Sequence, residues 1–379
     1  MTHTRGSSGI RDAVVITAIV MALFAAIEGS VRAFWPQNLR TEYEGGASTA
    51  IPDDDLGHRL RPHARTRVSG PEFAVEYVHN SMGLRDEVEH ASPKPEDTTR
   101  ILILGDSFAY GAGNAYEESW PVLFKRRLRA DGYRAAAVKA GVPGYDTRTE
   151  ALHLERIFAD YDPDIVLLTF LPNDLFTNRP LKNAGGGLDE DQSPTLGAGE
   201  KGSDLHSLIL AKRLLMESDW LYIRLYMLTK RVEYFATPPT ATLRRQIEVT
   251  KALLERMQRF CAERGRDLVV LSIPQQFQVL VPEHGEALGV DVDAIDRTFA
   301  EFAREQGFTW LPALPRLRQD YRAEGKDLYF RFDGHLNSRG NRVVADYLAA
   351  ALVERLGDRL QHPQAPVSAE SVWEISDPS

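Results

Sequence analysis

The pattern of apolar positions changes character near residue 100. From there, short unbroken apolar runs alternate with stretches whose apolar residues recur every three or four positions. ILIL (101–104), AAAVKA (135–140), DIVLLTF (164–170), LVVLSI (268–273) and FTWL (308–311) predict five strands. Helical periodicity covers 117–130, 149–160, 241–264, 293–306 and 339–356, with Gly265 and Gly307 as stop signals. Strands that are apolar throughout are covered on both faces. The pattern therefore predicts an α/β three-layer sandwich around a five-stranded parallel sheet. Ligands of such sheets bind at the carboxyl ends of the strands. That gathers loops 105–114, 141–149, 171–180, 274–282 and 331–338 on one rim.

Two stretches break this rhythm. Residues 36–97 are polar and proline-rich. Only EFAVEYV (72–78) alternates, so the segment reads as a spacer with one strand or hairpin. After the third strand, 175–204 is polar and glycine-rich, and 205–235 is helical, apolar and aromatic. Together, 175–235 reads as a lid-like insertion, or as a fixed cover over one end of the sheet. The catalytic-type domain would span 98–360, and 361–379 reads as a disordered tail.

The N-terminus carries a different signal. Residues 13–27 hold no charge, and Arg5 and Arg11 precede them. A span needs about 20 residues. The helix reaches that length, 13–35, if Glu28 pairs with Arg32 one turn on. The first reading is a signal-anchor, with 1–12 in the cytoplasm and the rest on the periplasmic side of a bacterial inner membrane. A cleaved signal peptide ending near Val31-Arg32-Ala33 is the second reading, and a buried core helix is the third.

Composition narrows the function. The chain has 379 residues and a formal charge of −9, which argues against a nucleic-acid partner. Cys261 is its only cysteine, so no intramolecular disulfide is possible. It lies on an apolar helical stripe and reads as core. No metal or redox cofactor is indicated, since His335 is the only histidine in the rim loops and no H-x-x-x-H or acidic metal cluster occurs.

The rim loops hold the candidate chemistry. Gly105-Asp106-Ser107 follows the first strand and presents a hydroxyl at the sheet edge. A serine nucleophile needs a base within hydrogen-bond reach. His335, before the last helix, is on the same rim. Asp333 is positioned to accept from its imidazole and fix the tautomer. Asn337 and Ser338 are candidate caps of the last helix. An acyl-transfer site also needs donors for an oxyanion. Asn173, after the third strand, offers a side-chain amide, and Asp174 could anchor that loop. The second rim loop, AGVPGYDT (140–147), offers a glycine N–H. Each feature alone has a commoner reading as a turn or cap.

Taken in order, GDS, the glycine of the second loop, N-D and D-x-H-x-N resemble the SGNH (GDSL) hydrolase family over roughly 98–358. The resemblance implies Ser107 as nucleophile and His335 as general base. It implies Asp333 as orienting partner, and Ser107 N–H, Gly144 N–H and Asn173 as oxyanion donors. Asp106, Asp174 and Asn337 would support them. The D-x-H spacing is similar to that of the alginate O-acetyltransferase relatives, which are periplasmic. NSMGLRD (80–86) also looks like membrane-anchored bacterial members. Its residues suggest no role beyond a turn at Gly83 and local pairing of Arg85. The expected function is a serine ester hydrolase acting on an ester-bearing lipid or an acylated carbohydrate. The alternatives are an O-acetyltransferase of envelope polysaccharide and an inactive membrane-tethered binding protein.

Overall fold

Thr99–Leu104 is buried at all six positions and so is Ile165–Phe170, as strands enclosed between two helical layers must be. They are the centre of the sheet. The computed structural model describes residues 6–37, 42–44, 49–90, 92–178, 205–281 and 288–360. The expected tail at 361–379 and most of the glycine-rich run at 175–204 lie outside them.

The chain opens with α1 (Gly6–Phe34). Five short strands follow: β1 (Glu42–Glu44), β2 (Ala50–Asp53), β3 (Gly57–Leu60), β4 (Arg65–Ser69) and β5 (Ala74–Val78). Then come β6 (Thr99–Leu104), α2 (Ser107–Tyr110), α3 (Trp120–Ala130), β7 (Ala135–Lys139), α4 (Thr147–Tyr161), β8 (Ile165–Phe170) and α5 (Asp174–Thr177). The insertion supplies α6 (His206–Glu217) and α7 (Asp219–Met227). The chain continues through α8 (Ala241–Ala262), β9 (Asp267–Ser272), α9 (Gln276–Leu280), α10 (Ala294–Gln306), β10 (Thr309–Pro312), α11 (Leu314–Glu324) and α12 (Ser338–Leu356).

The main sheet is parallel with order β10-β9-β8-β6-β7. One apolar layer joins its first face to α3, α11 and α12, through Trp120, Phe124, Leu317 and Leu348. The other joins its second face to α4, α8 and α10, through Leu154, Leu254, Met257 and Phe299. Cys261 is fully buried in that second layer, as its stripe predicts. The chain leaves β6 toward β7 and returns to β8 on the other side. This reversal opens a crevice at the carboxyl ends of β6 and β8.

The described residues within 36–97 hold more strands than the one strand or hairpin expected. They form a three-stranded antiparallel sheet, β1-β4-β5, and a two-stranded ribbon, β2-β3. Leu56, Leu60, Val68, Val75 and Tyr77 pack with Tyr110, Val142 and Tyr145 of the main domain. The small sheets thus sit against the loops after β6 and β7.

Helix α1 is the apolar exception. Its Arg11–Phe34 stretch has mean hydropathy up to 2.3 and only 6% of that window is buried. The anticipated Glu28–Arg32 pair is present at 2.7 Å.

Candidate active site

The turn after β6 is built for a close approach. Gly105 has φ of 148°, and a β-carbon there would stand 2.7 Å from Thr169 Cβ and 2.8 Å from Ala109 Cβ. Only glycine fits, so the chain turns tightly at the sheet edge. Asp106 then caps α2, its side chain accepting from Phe108 N–H at 2.8 Å. Ser107 is the first residue of that helix and faces the cleft.

His335 comes from the opposite side, on the loop before α12. That loop is tied at both ends. Phe330 N–H donates to His335 O, and Asn337 Nδ2 donates to Asp327 O at 2.9 Å and Tyr329 O at 3.3 Å. Asn337 Oδ1 meanwhile caps α12, accepting from the Arg339 and Gly340 N–H groups. The imidazole Nε2 lies 2.7 Å from Ser107 Oγ. Its Nδ1 lies 2.5 Å from Asp333 Oδ1, which also accepts from His335 N–H at 3.2 Å. The short D-x-H spacing therefore suffices: Gly334, at φ of 90°, folds the loop so that one oxygen meets both groups.

Electrostatics reinforce this line. Burial pulls the His335 imidazole down, but the hydrogen bond and charge of Asp333, with the charge of Asp106, leave it above its ordinary pKa. Asp333 is penalised by burial, yet its bond to His335 holds it below the usual carboxylate range. Burial pushes Asp106 up to about 6. Behind it, burial and the charges of neighbouring carboxylates raise Asp174 and Glu150 well above ordinary carboxylates. Glu150 has no hydrogen-bond partner for either oxygen among the described residues. Asp174 accepts from Thr147 Oγ1 at 3.3 Å and Leu171 N–H at 3.4 Å, anchoring the loop that carries Asn173.

A cleft of about 270 Å³ opens over these groups. Its walls include Ser107, Asn173, Tyr226, Arg231, Gln276 and His335. Gly144 does not border it. That glycine is exposed on the loop after β7, with φ of 86° and an N–H that donates to no group among the described residues. The insertion forms one wall, with Tyr222 and Tyr226 from α7 and Arg231 and Tyr234 beyond it.

Two further residues come from the loops before and after β5. Glu72 Oε2 accepts the N–H groups of Phe332 and Asp333, both at 2.8 Å. Beside it, the Phe73 and Phe330 rings pack 5.4 Å apart. Glu72 thus clamps the loop that carries Asp333 and His335. Removing the clamp as Glu72→Ala should lower kcat about 10- to 100-fold, the scale of a misplacement near 1 Å. Glu72→Gln keeps an accepting oxygen and should retain most of the activity. Steady-state kinetics on a short nitrophenyl ester checks both.

Arg85 does not pair locally. It is 1% exposed, and its guanidinium donates to Tyr110 O at 2.9 Å, Gly111 O at 2.7 Å and Asn114 O at 2.6 Å. It also lies 4.4 Å from the Tyr77 ring centre. Tyr110 and Gly111 end the helix that begins with Ser107, so NSMGLRD fastens the nucleophile turn from behind. The expected turn at Gly83 is present, at φ of 83°. Arg85→Met would take the donor from Asn114 O and one of two donors from Tyr110 O and Gly111 O, which keep Lys139 Nζ and the Asn114 N–H, and should cost about 2 kcal/mol. Denaturant unfolding measures this, and Arg85→Lys, lacking the fork, should recover only part.

A parallel α/β sheet with a hydroxyl, an imidazole and a carboxylate aligned on its carboxyl rim has the parts of a serine acyl-transfer site. The model of the GDSL-like lipase/acylhydrolase family matches residues 103–343, and the chain belongs to that family of ester-bond hydrolases. An arylesterase of Vibrio mimicus is 28% identical over 91 residues, 24% of this chain and 46% of that protein. The chain thus matches about half the length of this curated relative. Among solved structures, it is similar to psychrotrophic esterase EstA from Pseudoalteromonas sp. (13% identity, 68% of this chain and 99% of that one, TM-score 0.41). It is also similar to a Clostridium thermocellum family 3 carbohydrate esterase (14% identity, 69% and 98%, TM-score 0.38).

Proposed function

We propose that the chain hydrolyses esters through an acyl-enzyme on Ser107. The observation that carries the reading is the line Ser107 Oγ, His335 Nε2, His335 Nδ1, Asp333 Oδ1, with contacts of 2.7 and 2.5 Å. His335 takes the hydroxyl proton as Ser107 attacks the ester carbonyl. It returns that proton to the leaving alcohol, then activates water to release the acid. Asp333 holds the imidazole in the required tautomer and balances its charge. The Ser107 N–H at the start of α2 and the Asn173 amide, both at the cleft, are the oxyanion donors.

Helix α1 anchors this domain to a bacterial inner membrane, with the cleft on the extracytoplasmic side. Its length, its exposure and the two arginines before its apolar core support that reading.

The test is product analysis on nitrophenyl acetate, with and without an acetyl-accepting oligosaccharide. Free acetate in both, with turnover indifferent to the sugar, supports hydrolysis. Turnover that waits for sugar and yields acetylated sugar would replace water by a sugar hydroxyl as acceptor.

A further inference from the structure

Outside α1 and its exit at Trp35, eight large apolar side chains stand exposed among the described residues, and six of them fall in one segment, 208–228. They are Leu208, Leu214 and Leu215 of α6, Trp220 and Leu225 of α7, and Leu228 just past α7. A patch of this kind marks an interaction surface.

Its position says what it meets. Helix α6 starts on α1. Glu28 of α1 accepts from His206 N–H at 2.9 Å, Ser207 N–H at 2.8 Å and Ser207 Oγ at 2.6 Å, and so caps α6. Gln37, just past α1, donates its N–H to His206 Nδ1 and accepts from Arg213 at 3.1 Å. Glu28 lies six residues before the end of α1, about 9 Å along a helix. A helix fixed there starts at the depth of a bilayer interface, where amphipathic helices bury about 5–10 Å.

The charge of the segment agrees. The chain as a whole carries −9, yet between 205 and 231 Lys212, Arg213, Arg224, Lys230 and Arg231 outnumber Glu217 and Asp219. Apolar side chains mixed with cations on a helix pair suit an anionic lipid surface. The same α7 turns Tyr222 and Tyr226 into the catalytic cleft. Its neighbourhood is also tied to the catalytic loop: Asp219 accepts from Arg331 at 2.6 Å, and Lys212 lies 4.0 Å from the Phe332 ring centre.

We propose that α6 and α7 lie in the lipid–water interface beside α1, so that the Ser107 cleft opens at the bilayer surface and takes an ester carried by a membrane lipid. The proposal rests on α1 as a membrane anchor.

The full chain in phosphatidylcholine–phosphatidylglycerol vesicles provides the test, with spin labels at Leu214→Cys, Leu228→Cys and, as an aqueous control, Val88→Cys. Labels at 214 and 228 should be relaxed by lipid-soluble oxygen and shielded from a water-soluble nickel chelate, with the reverse at 88. Nickel access at 214 and 228 equal to that at 88, in protein that resists carbonate extraction, would overturn the interfacial helices and leave the anchor standing. Release by carbonate would overturn the anchor and the proposal with it. In the same vesicles, Leu214→Asp with Leu228→Asp should lower turnover of a membrane-borne long-chain nitrophenyl ester at least about tenfold. It should leave nitrophenyl acetate in water unchanged. Equal turnover of the membrane-borne ester by both proteins would contradict the proposal.

Discussion

Ser107→Ala should reduce kcat/KM for any ester the protein accepts by about 10⁴- to 10⁶-fold while leaving its melting temperature within a degree or two. The reason is local. Ser107 is the first residue of a four-residue helix whose cap is Asp106 and whose far end is held by Arg85. None of those contacts uses the Ser107 hydroxyl, so its loss leaves the turn intact. The lost function is the bond-forming atom itself. His335→Ala should match the loss, because hydroxyl and imidazole act as one unit, and the double variant should be no worse than either single one. Activity assays and thermal melts on the three variants decide this. Additive losses would mean that the two groups do not share a step.

Asp333→Asn should have the second largest effect, about 10⁴-fold in kcat, with an altered pH profile. A general base works only when neutral, so the rate rises with pH through the His335 pKa. Burial lowers that pKa, and the bond and charge of Asp333 raise it further than burial lowers it. The acid limb of the wild-type profile should therefore have its midpoint above about 6.5, the ordinary histidine value. Without the Asp333 charge, burial dominates and the midpoint should move to lower pH. Asp106 still faces the imidazole and limits the move. A profile of kcat/KM from pH 5 to 9 for both proteins checks it. A midpoint that rises in the variant would reverse the assigned role of Asp333.

The sequence made the sheet readable because its strands are apolar on both faces. All five expected runs became β6 to β10, each within two residues at either end. The rim position of Ser107, Asn173 and His335 followed from that order. Other parts were hidden for physical reasons. In β4, inward Thr66 and Val68 alternate with charged Arg65 and Arg67. Over four or five residues, that pattern is hard to separate from a polar loop. Helix α11 was missed because LPRLRQDYRAE buries little more than Leu314, Leu317 and Arg318, and Pro315 in its first turn resembles a loop. Glu72 and Arg85 act on groups 260 and 25 residues away, through backbone atoms that carry no sequence signal. The alternation Phe73, Val75, Tyr77 signalled the strand beside Glu72, though not what its carboxylate would hold. Gly144 was chosen by resemblance, and it stands outside the cleft wall.

The central claim is that Ser107 carries the acyl group, and covalent trapping addresses it most directly. A nitrophenyl alkylphosphonate transfers its phosphonyl group to an activated serine and stays there. The full chain should gain one phosphonyl mass, located by peptide mapping on Ser107. His335→Ala should slow that gain by several orders of magnitude. An adduct on another residue, or full ester turnover by protein whose Ser107 is blocked, would contradict the account.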